Sequence, residues 1–357
     1  MASRRSTIAF AALGVLLLAG CATPAAGGTE ASPEPTTSAT PVAASTPTVR
    51  VPLECTDLVD DAELESATGA PLAVVDPFVD GTKSLVQTAD QQYGALDCAW
   101  STSALDNDQT IPSVVITVVP DVTSARWAEF TPLMEGTGTE HGTFGAESYV
   151  SCVVSGGGVF STCELNSLIG GYWLSVSISG PGTAVSIASA TPVLSRATDA
   201  VTTAGEPSAA WESPSGASAI AGDLDTEAAK AALSAASVEG IQNNVTTQNG
   251  ARWLPSVETG LTRLVYSATG LPDGSSLDFE LDVLPSGAWA IDAIAALVDN
   301  ATATAVDDLG DEAISYGSSV VFTMGDDLVL VDASAGGIAA SSDQAIIVAK
   351  AVAGAIS

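Results

Sequence analysis

The chain has 357 residues, with 42 acidic against 10 basic side chains and a formal charge of −32. A surface of that sign repels phosphate backbones and anionic headgroups, which excludes nucleic acid as a partner and leaves solubility as the ordinary use of the acidity. With 46% apolar residues the chain can bury cores, and its length fits two domains.

Arg4 and Arg5 precede an apolar run from Ile8 to Leu18 that ends in Leu18-Ala19-Gly20-Cys21. The run is too short for a membrane-spanning helix, which needs about 20 residues. An ordinary secretory signal ends in small residues and needs no cysteine after the cut. The segment resembles the lipobox of bacterial lipoproteins. That resemblance implies a signal peptide over residues 1–20, cleavage after Gly20, a diacylglyceryl group on the Cys21 sulfur and a fatty acyl chain, such as palmitate, on its amine. Without Arg4 and Arg5 the body carries a charge near −34. It is expected on the outer face of the cytoplasmic membrane, held in the bilayer through Cys21.

Residues 21–50 then form a lipidated, disordered tether of Ala, Pro, Thr, Ser and Gly. A second stretch of this kind, residues 202–217, predicts a linker between two folded units, 51–201 and 218–357. In the first unit, Leu58, Ala62 and Leu64 predict a helix from Asp57 to Thr68 that stops at Gly69. Strands follow near 95–101 and 113–119, then a helix over 122–134. Further strands are expected near 147–154, 158–165 and 171–179, with Gly156-Gly157-Gly158 as the turn between the first two and a closing helix over 183–203. The second unit reads as a helix over 225–237, strands near 262–268 and 277–284, and a helix over 287–298. Strands near 313–323 and 327–333 and a helix over 342–355 complete it. The expected fold is α+β: two tandem units, each an antiparallel sheet packed on helices.

The two units read as one pattern written twice. Val114 to Pro120 leads to Ser124-Ala125-Arg126-Trp127, and Phe279 to Pro285 leads to Ser286-Gly287-Ala288-Trp289. Phe144-Gly145-Ala146-Glu147-Ser148 matches Leu309-Gly310-Asp311-Glu312-Ala313, and Cys98-Ala99-Trp100-Ser101 aligns with Leu264-Val265-Tyr266-Ser267. Trp127 and Trp289 are expected in cores, Trp100 against a disulfide and Trp211 exposed in the linker.

Beyond Cys21 stand Cys55, Cys98, Cys152 and Cys163, an even count that outside the cell implies disulfides. Three pairings exist; sequence order favours Cys55–Cys98 and Cys152–Cys163. No C-x2–4-C pair points to zinc. The order Cys55, Leu58, Glu63-Leu64, Gly69, Cys98-Ala99-Trp100, followed by Phe144 to Ser148, resembles the actinobacterial lipoproteins of the domain of unknown function 3558 family. The chain would then hold two divergent tandem copies, the second without the cysteines. The resemblance implies the cell envelope and carries over no catalytic residue. A looser similarity is to the extracellular sensor domains of mycobacterial-type Ser/Thr kinases.

Nothing in the sequence assigns a catalytic, metal or cofactor site. The single histidine, His141, lies in a Gly-rich stretch, and a Ser-His-Asp triad would need it beside a G-x-S-x-G elbow that is missing. Lys83, Lys230 and Lys350 have Asp80, Glu227 and Ile347 three residues earlier, not the serine of Ser-x-x-Lys. Asp106-Asn107-Asp108 and Asp307 to Glu312 are acid-rich turns without a full calcium loop. Three functions follow: a non-enzymatic envelope module that binds a protein or small ligand, with a cleft between units as the expected place; a carboxylate-dependent hydrolase of envelope glycans; or a sensor or accessory subunit of a membrane partner. A buried acid pair with one raised pKa would favour the hydrolase.

Overall fold

The computed structural model describes residues 46–75, 85–103, 110–135, 139–140, 142–155, 157–213, 220, 224–242, 251, 253–298, 303–335 and 337–356. Cys21 and the signal, most of the tether, Lys83, Asp106 to Asp108, His141, Gly156 and residues 214–217 lie outside them. The described residues belong to one compact unit, Ala44–Ser357.

Its first half runs α1 (Cys55–Leu58), α2 (Asp61–Thr68), β1 (Ala73–Val75), α3 (Leu85–Tyr93), β2 (Leu96–Ser101), β3 (Ser113–Val119), α4 (Ser124–Glu135), β4 (Thr139–Glu140), β5 (Glu147–Ser155), β6 (Phe160–Ile169), β7 (Tyr172–Pro181) and α5 (Ile187–Thr203). The second runs α6 (Thr226–Leu233), β8 (Ser237–Gln242), α7 (Trp253–Glu258), β9 (Thr262–Thr269), β10 (Ser276–Leu284), α8 (Ile291–Leu297), β11 (Thr304–Ala305), β12 (Ala313–Tyr316), β13 (Ser319–Met324), β14 (Asp327–Ala335), β15 (Ile338–Ala339) and α9 (Ser342–Ala353). Among the described residues the strands form a seven-stranded sheet, β1-β2-β3-β7-β6-β5-β4, and an eight-stranded sheet, β11-β12-β13-β14-β10-β9-β8 with β15 beside β14. All pairings are antiparallel, and the fold is α+β with two sheets.

Read from β8, the second sheet has the strand order of the first, β8-β9-β10-β14-β13-β12-β11. The local devices repeat as well. Asp60 and Asp225 cap α2 and α6, and Ser186 and Ser341 cap α5 and α9, each accepting hydrogen bonds from first-turn backbone N–H groups. Left-handed residues recur at Gly69 and Ser234, at Gly94 and Gly260, and at Asp121 and Ser286 after the two prolines. One topology is built twice, as the motif matches predict.

Each sheet packs one face on its own helices. In the first half Ile116, Val118, Leu174, Val176 and Leu165 meet Leu58, Leu64 and Leu194. In the second, Phe279, Leu281, Val331 and Phe322 meet Ala345, Val348 and Val352. The opposite faces share a third core. Leu85, Val86, Ala89, Trp127, Phe130 and Trp173 of the first half pack with Trp253, Leu254, Leu261, Leu284, Leu328 and Tyr316 of the second. Trp127 and Phe130 meet the Trp173 ring edge-on, at centroid distances of 5.0 and 5.2 Å. Helices α3 and α7, which occupy matching places in the two halves, pack on each other. Gln92 of α3 donates to the Pro285 carbonyl at 2.9 Å, and Arg126 pairs with Glu258 at 2.7 Å. Apolar side chains of both halves thus fill part of the space between the sheets.

The chain ends of the first half are tied together by Arg50. Its side chain donates to the Ser208 carbonyl at 2.9 Å and pairs with Asp121, and its backbone pairs with Gly94 and Ser208. Residues 204–213 are therefore an extended strap on the body. Tyr172 binds the Gly205 carbonyl at 2.7 Å, and Ser213 contacts Ser286 in the second half.

Several elements differ from expectation. The first helix breaks at Val59 into α1 and α2, because Asp60 caps a fresh helix. The helix expected over 225–237 ends at Leu233, and Ser237 begins β8. The strand expected over 313–323 is a hairpin turning at Gly317 and Ser318. Helices α3 and α7 are not among the expected elements: α3 is a nine-residue helix whose apolar side is only Leu85, Val86, Ala89 and Tyr93, and α7 is six residues long and contains Pro255. Trp289 lies half-buried in a 3-10 turn, residues 288–290, and Trp211 is half-buried in the strap. The disulfides are Cys55–Cys98 and Cys152–Cys163.

Gly310 tests the second half. Its φ is +60°, and a Cβ there would overlap the Thr323 carbonyl oxygen. Gly317 also has positive φ (+56°) but faces open space. Gly310→Ala is expected to cost about 3 kcal/mol or more and Gly317→Ala about 1 kcal/mol, measured by urea unfolding.

Candidate functional site

The β10 sequence alternates Leu277, Phe279, Leu281 and Val283 with Ser276, Asp278, Glu280 and Asp282. The apolar set faces α6 and α9, so the acids share the other face. Register fixes their neighbours. Asp282 lies opposite Arg263 on β9, and Glu280 opposite Asp332 on β14. The row through Asp332 continues to Ser319 and Tyr316.

Arg263 is the hub of this face. Its Nε donates to Asp282 Oδ1 at 2.9 Å and an Nη donates to Oδ2 at 2.7 Å, a bidentate pair. Glu280 Oε1 lies 3.1 Å from the same Nε. The guanidinium also stands 5.9 Å from the centroid of the Trp253 ring. Asp282 is wholly buried, whereas the side chains of Arg263 and Glu280 keep 13% and 34% of their exposure. Asp332 accepts from Ser318 Oγ at 2.8 Å. The buried Tyr316 hydroxyl has no hydrogen-bond partner, and burial followed by the Asp332 charge pushes its pKa up.

Asp282 and Glu280 share one guanidinium, and the Asp332 charge lies across the ladder from Glu280. Burial raises the Glu280 pKa to about 7, Asp282 and Asp332 add to the rise, and Arg263 opposes it. Burial also pushes Asp282 up, against the pull of its hydrogen bonds from Arg263. For Arg263 itself, burial lowers the pKa, but Asp282 and Glu280 outweigh it and hold the charge. Around neutral pH Glu280 is therefore poised between its charged and protonated forms. In the first half the places of Arg263 and Asp282 are taken by Asp97 and Thr117, joined by a 2.6 Å hydrogen bond.

Among the described residues no group of three or more His, Cys, Asp or Glu side chains is placed to hold a metal ion. In the second acid-rich turn Asp311 accepts from the Gly325 N–H at 2.7 Å. An open groove of about 560 Å³ lies along α5, lined by Asp57, Glu63, Arg196 and Asp199, far in sequence from the acid face. The body cysteines form the two disulfides, which leaves no free thiol among them. No helix among the described residues is long and apolar enough to cross a membrane. No protein-family model, curated protein or solved structure matches the chain.

Two outcomes are expected. Arg263→Leu leaves Asp282 buried without its counter-charge and should cost about 3–5 kcal/mol in chemical unfolding, while Arg263→Leu with Asp282→Leu recovers most of it. The folded state holds a proton on Glu280 that the unfolded chain releases near pH 4.5. The stability from that proton is complete below this pH and lost as pH rises through about 7. Glu280→Gln should therefore be more stable than the unsubstituted chain by about 1–2 kcal/mol at high pH, after screening of the exposed third, with the difference gone in acid; thermal melts against pH measure it.

Proposed function

We propose that this chain is a lipid-anchored envelope protein on the outer face of the cytoplasmic membrane, acting as a non-enzymatic binding module for an envelope protein or a small ligand. The observation that carries the reading is the pair of closed disulfides, which belong to an oxidising compartment, on a chain that opens with the lipobox ending in Cys21. The resemblance to the domain of unknown function 3558 lipoproteins supports the same place. On the acid face Asp282 gives both oxygens, and Glu280 one, to neutralising Arg263, which is the work of a structural ion-pair network. In the producing cell, Cys21→Ala is expected to abolish incorporation of labelled palmitate and release the body from the membrane fraction; unchanged labelling would overturn the reading.

A second reading, a carboxylate-dependent hydrolase of envelope glycans, is favoured by one observation. Glu280, with its pKa near 7, sits directly across from Asp332. Cross-strand neighbours have Cβ atoms about 5 Å apart, so the two side chains leave the sheet side by side on one face. Turnover of a chromogenic glycan that Glu280→Gln and Asp332→Asn each reduce at least about a hundredfold would establish it.

A further inference from the structure

Helix α5 turns one stripe of side chains into the open groove of about 560 Å³ beside it: Pro192, Ser195, Arg196, Asp199, Ala200 and Thr203. Their helical spacing puts them on a single face. The stripe rises about 16 Å from Pro192 to Thr203, the length of about five residues of extended chain. Asp57 of α1 and Glu63 of α2 form the other wall. Helix α2 runs against α5 in the opposite direction: Asp60 at its start meets Arg196, while Thr68 at its end lies by Gly180 and Val185, just before α5 begins. Helix α1 with Asp57 therefore lies toward the C-terminal end of α5, fixed to the first sheet by the Cys55–Cys98 disulfide.

That end of the groove lacks a counter-charge. Arg196 lies 3.4 Å from Asp60 and 3.7 Å from Glu63, so its charge is answered within the walls. Asp57 accepts from the Glu54 N–H at 2.8 Å, and among the described residues neither Asp57 nor Asp199 has an ion pair. The carbonyls at the end of α5 add partial negative charge there, and the last turn of the helix has no basic side chain of its own. Packing does not account for the charges. Caps and buried residues align α5 with α9, Ser186 with Ser341 and Val193 with Val348, and α2 with α6, Asp60 with Asp225 and Leu64 with Ala229. In the places of Glu63, Arg196 and Asp199 the second copy has Ala228, Ala351 and Gly354, and its helices pack on each other without them.

We propose that this groove takes an extended segment of a partner protein, about five residues long, that brings a Lys or Arg side chain to Asp57 and Asp199. The cation answers the two carboxylates and the helix end together. Small uncharged residues follow it, because toward Pro192 and Ser195 the α5 wall is short and uncharged. The length of the groove suits a stretch of chain better than a single amine. The proposal rests on the binding reading above. Palmitate labelling tests that reading, and a groove that ignores a basic peptide leaves it standing.

The probe is the end-blocked synthetic peptide Lys-Ala-Ala-Ala-Lys, titrated into the full chain in detergent; a lysine at each end serves either direction of the segment. The unsubstituted chain should bind it and ignore Glu-Ala-Ala-Ala-Glu. Asp199→Asn is expected to weaken binding about tenfold or more. Ser195→Lys, which sets a cation where the second copy carries Lys350, should do the same without disturbing the helix. Glu227→Gln, an acid removed from α6, leaves binding unchanged. No binding by the unsubstituted chain, binding that survives both groove variants, or an equal loss with Glu227→Gln overturns the proposal. So does Nα-acetyl-lysine amide binding as tightly as the peptide, since the occupant is then a lone amine.

Discussion

A sheet has two faces, and in this protein each sheet covers one with its own helices and the other with its twin. The third core, from Trp127 and Trp173 on one side to Leu284 and Leu328 on the other, is what the remaining structure depends on. Fully burying a large apolar side chain yields about 1.5–3 kcal/mol, so a core of this extent commits the halves to one another. The contact of α3 with α7, equivalent elements of the two copies, is the kind an isologous dimer would make, here within one chain.

That shared core explains the chemistry of the acid face. Alternation along β10 would by itself leave Asp278, Glu280 and Asp282 in water. Because Leu284 and Leu328 of the same face lie in the core between the sheets, the strand passes from apolar burial at one end to solvent at the other. Asp282 falls on the buried side and is matched by Arg263; Glu280 falls at the boundary, where burial raises its pKa to about 7. In the first half the same face carries Ser175, Ser177 and Thr117, and Thr117 donates to Asp97 at 2.6 Å where the second half has its ion pair.

The copies have diverged in complementary ways. The first keeps both disulfides, the strap through Arg50 and Ser208, and the long uncharged hairpin. The second keeps a two-residue turn in place of the hairpin and relies on its apolar core and one buried ion pair.

Much of this was legible in the sequence. The β-branched run Val114 to Val119 and the period-two alternation of Trp173 to Ser179 mark strands by local packing, and Ser341 and Gly69 mark helix ends by local hydrogen bonds. The Pro120 and Pro285 segments disclosed the repeat, and cysteine order favoured the pairing that formed. Residue spacing fixes these features because neighbours along the chain produce them. What only tertiary structure decided is how the second faces are covered. That covering buries Gln87, Thr88 and Asp90 in α3 and makes an ion-pair network of Arg263, Asp282 and Glu280. Each depends on residues far apart in sequence meeting across a core, and no local period records that.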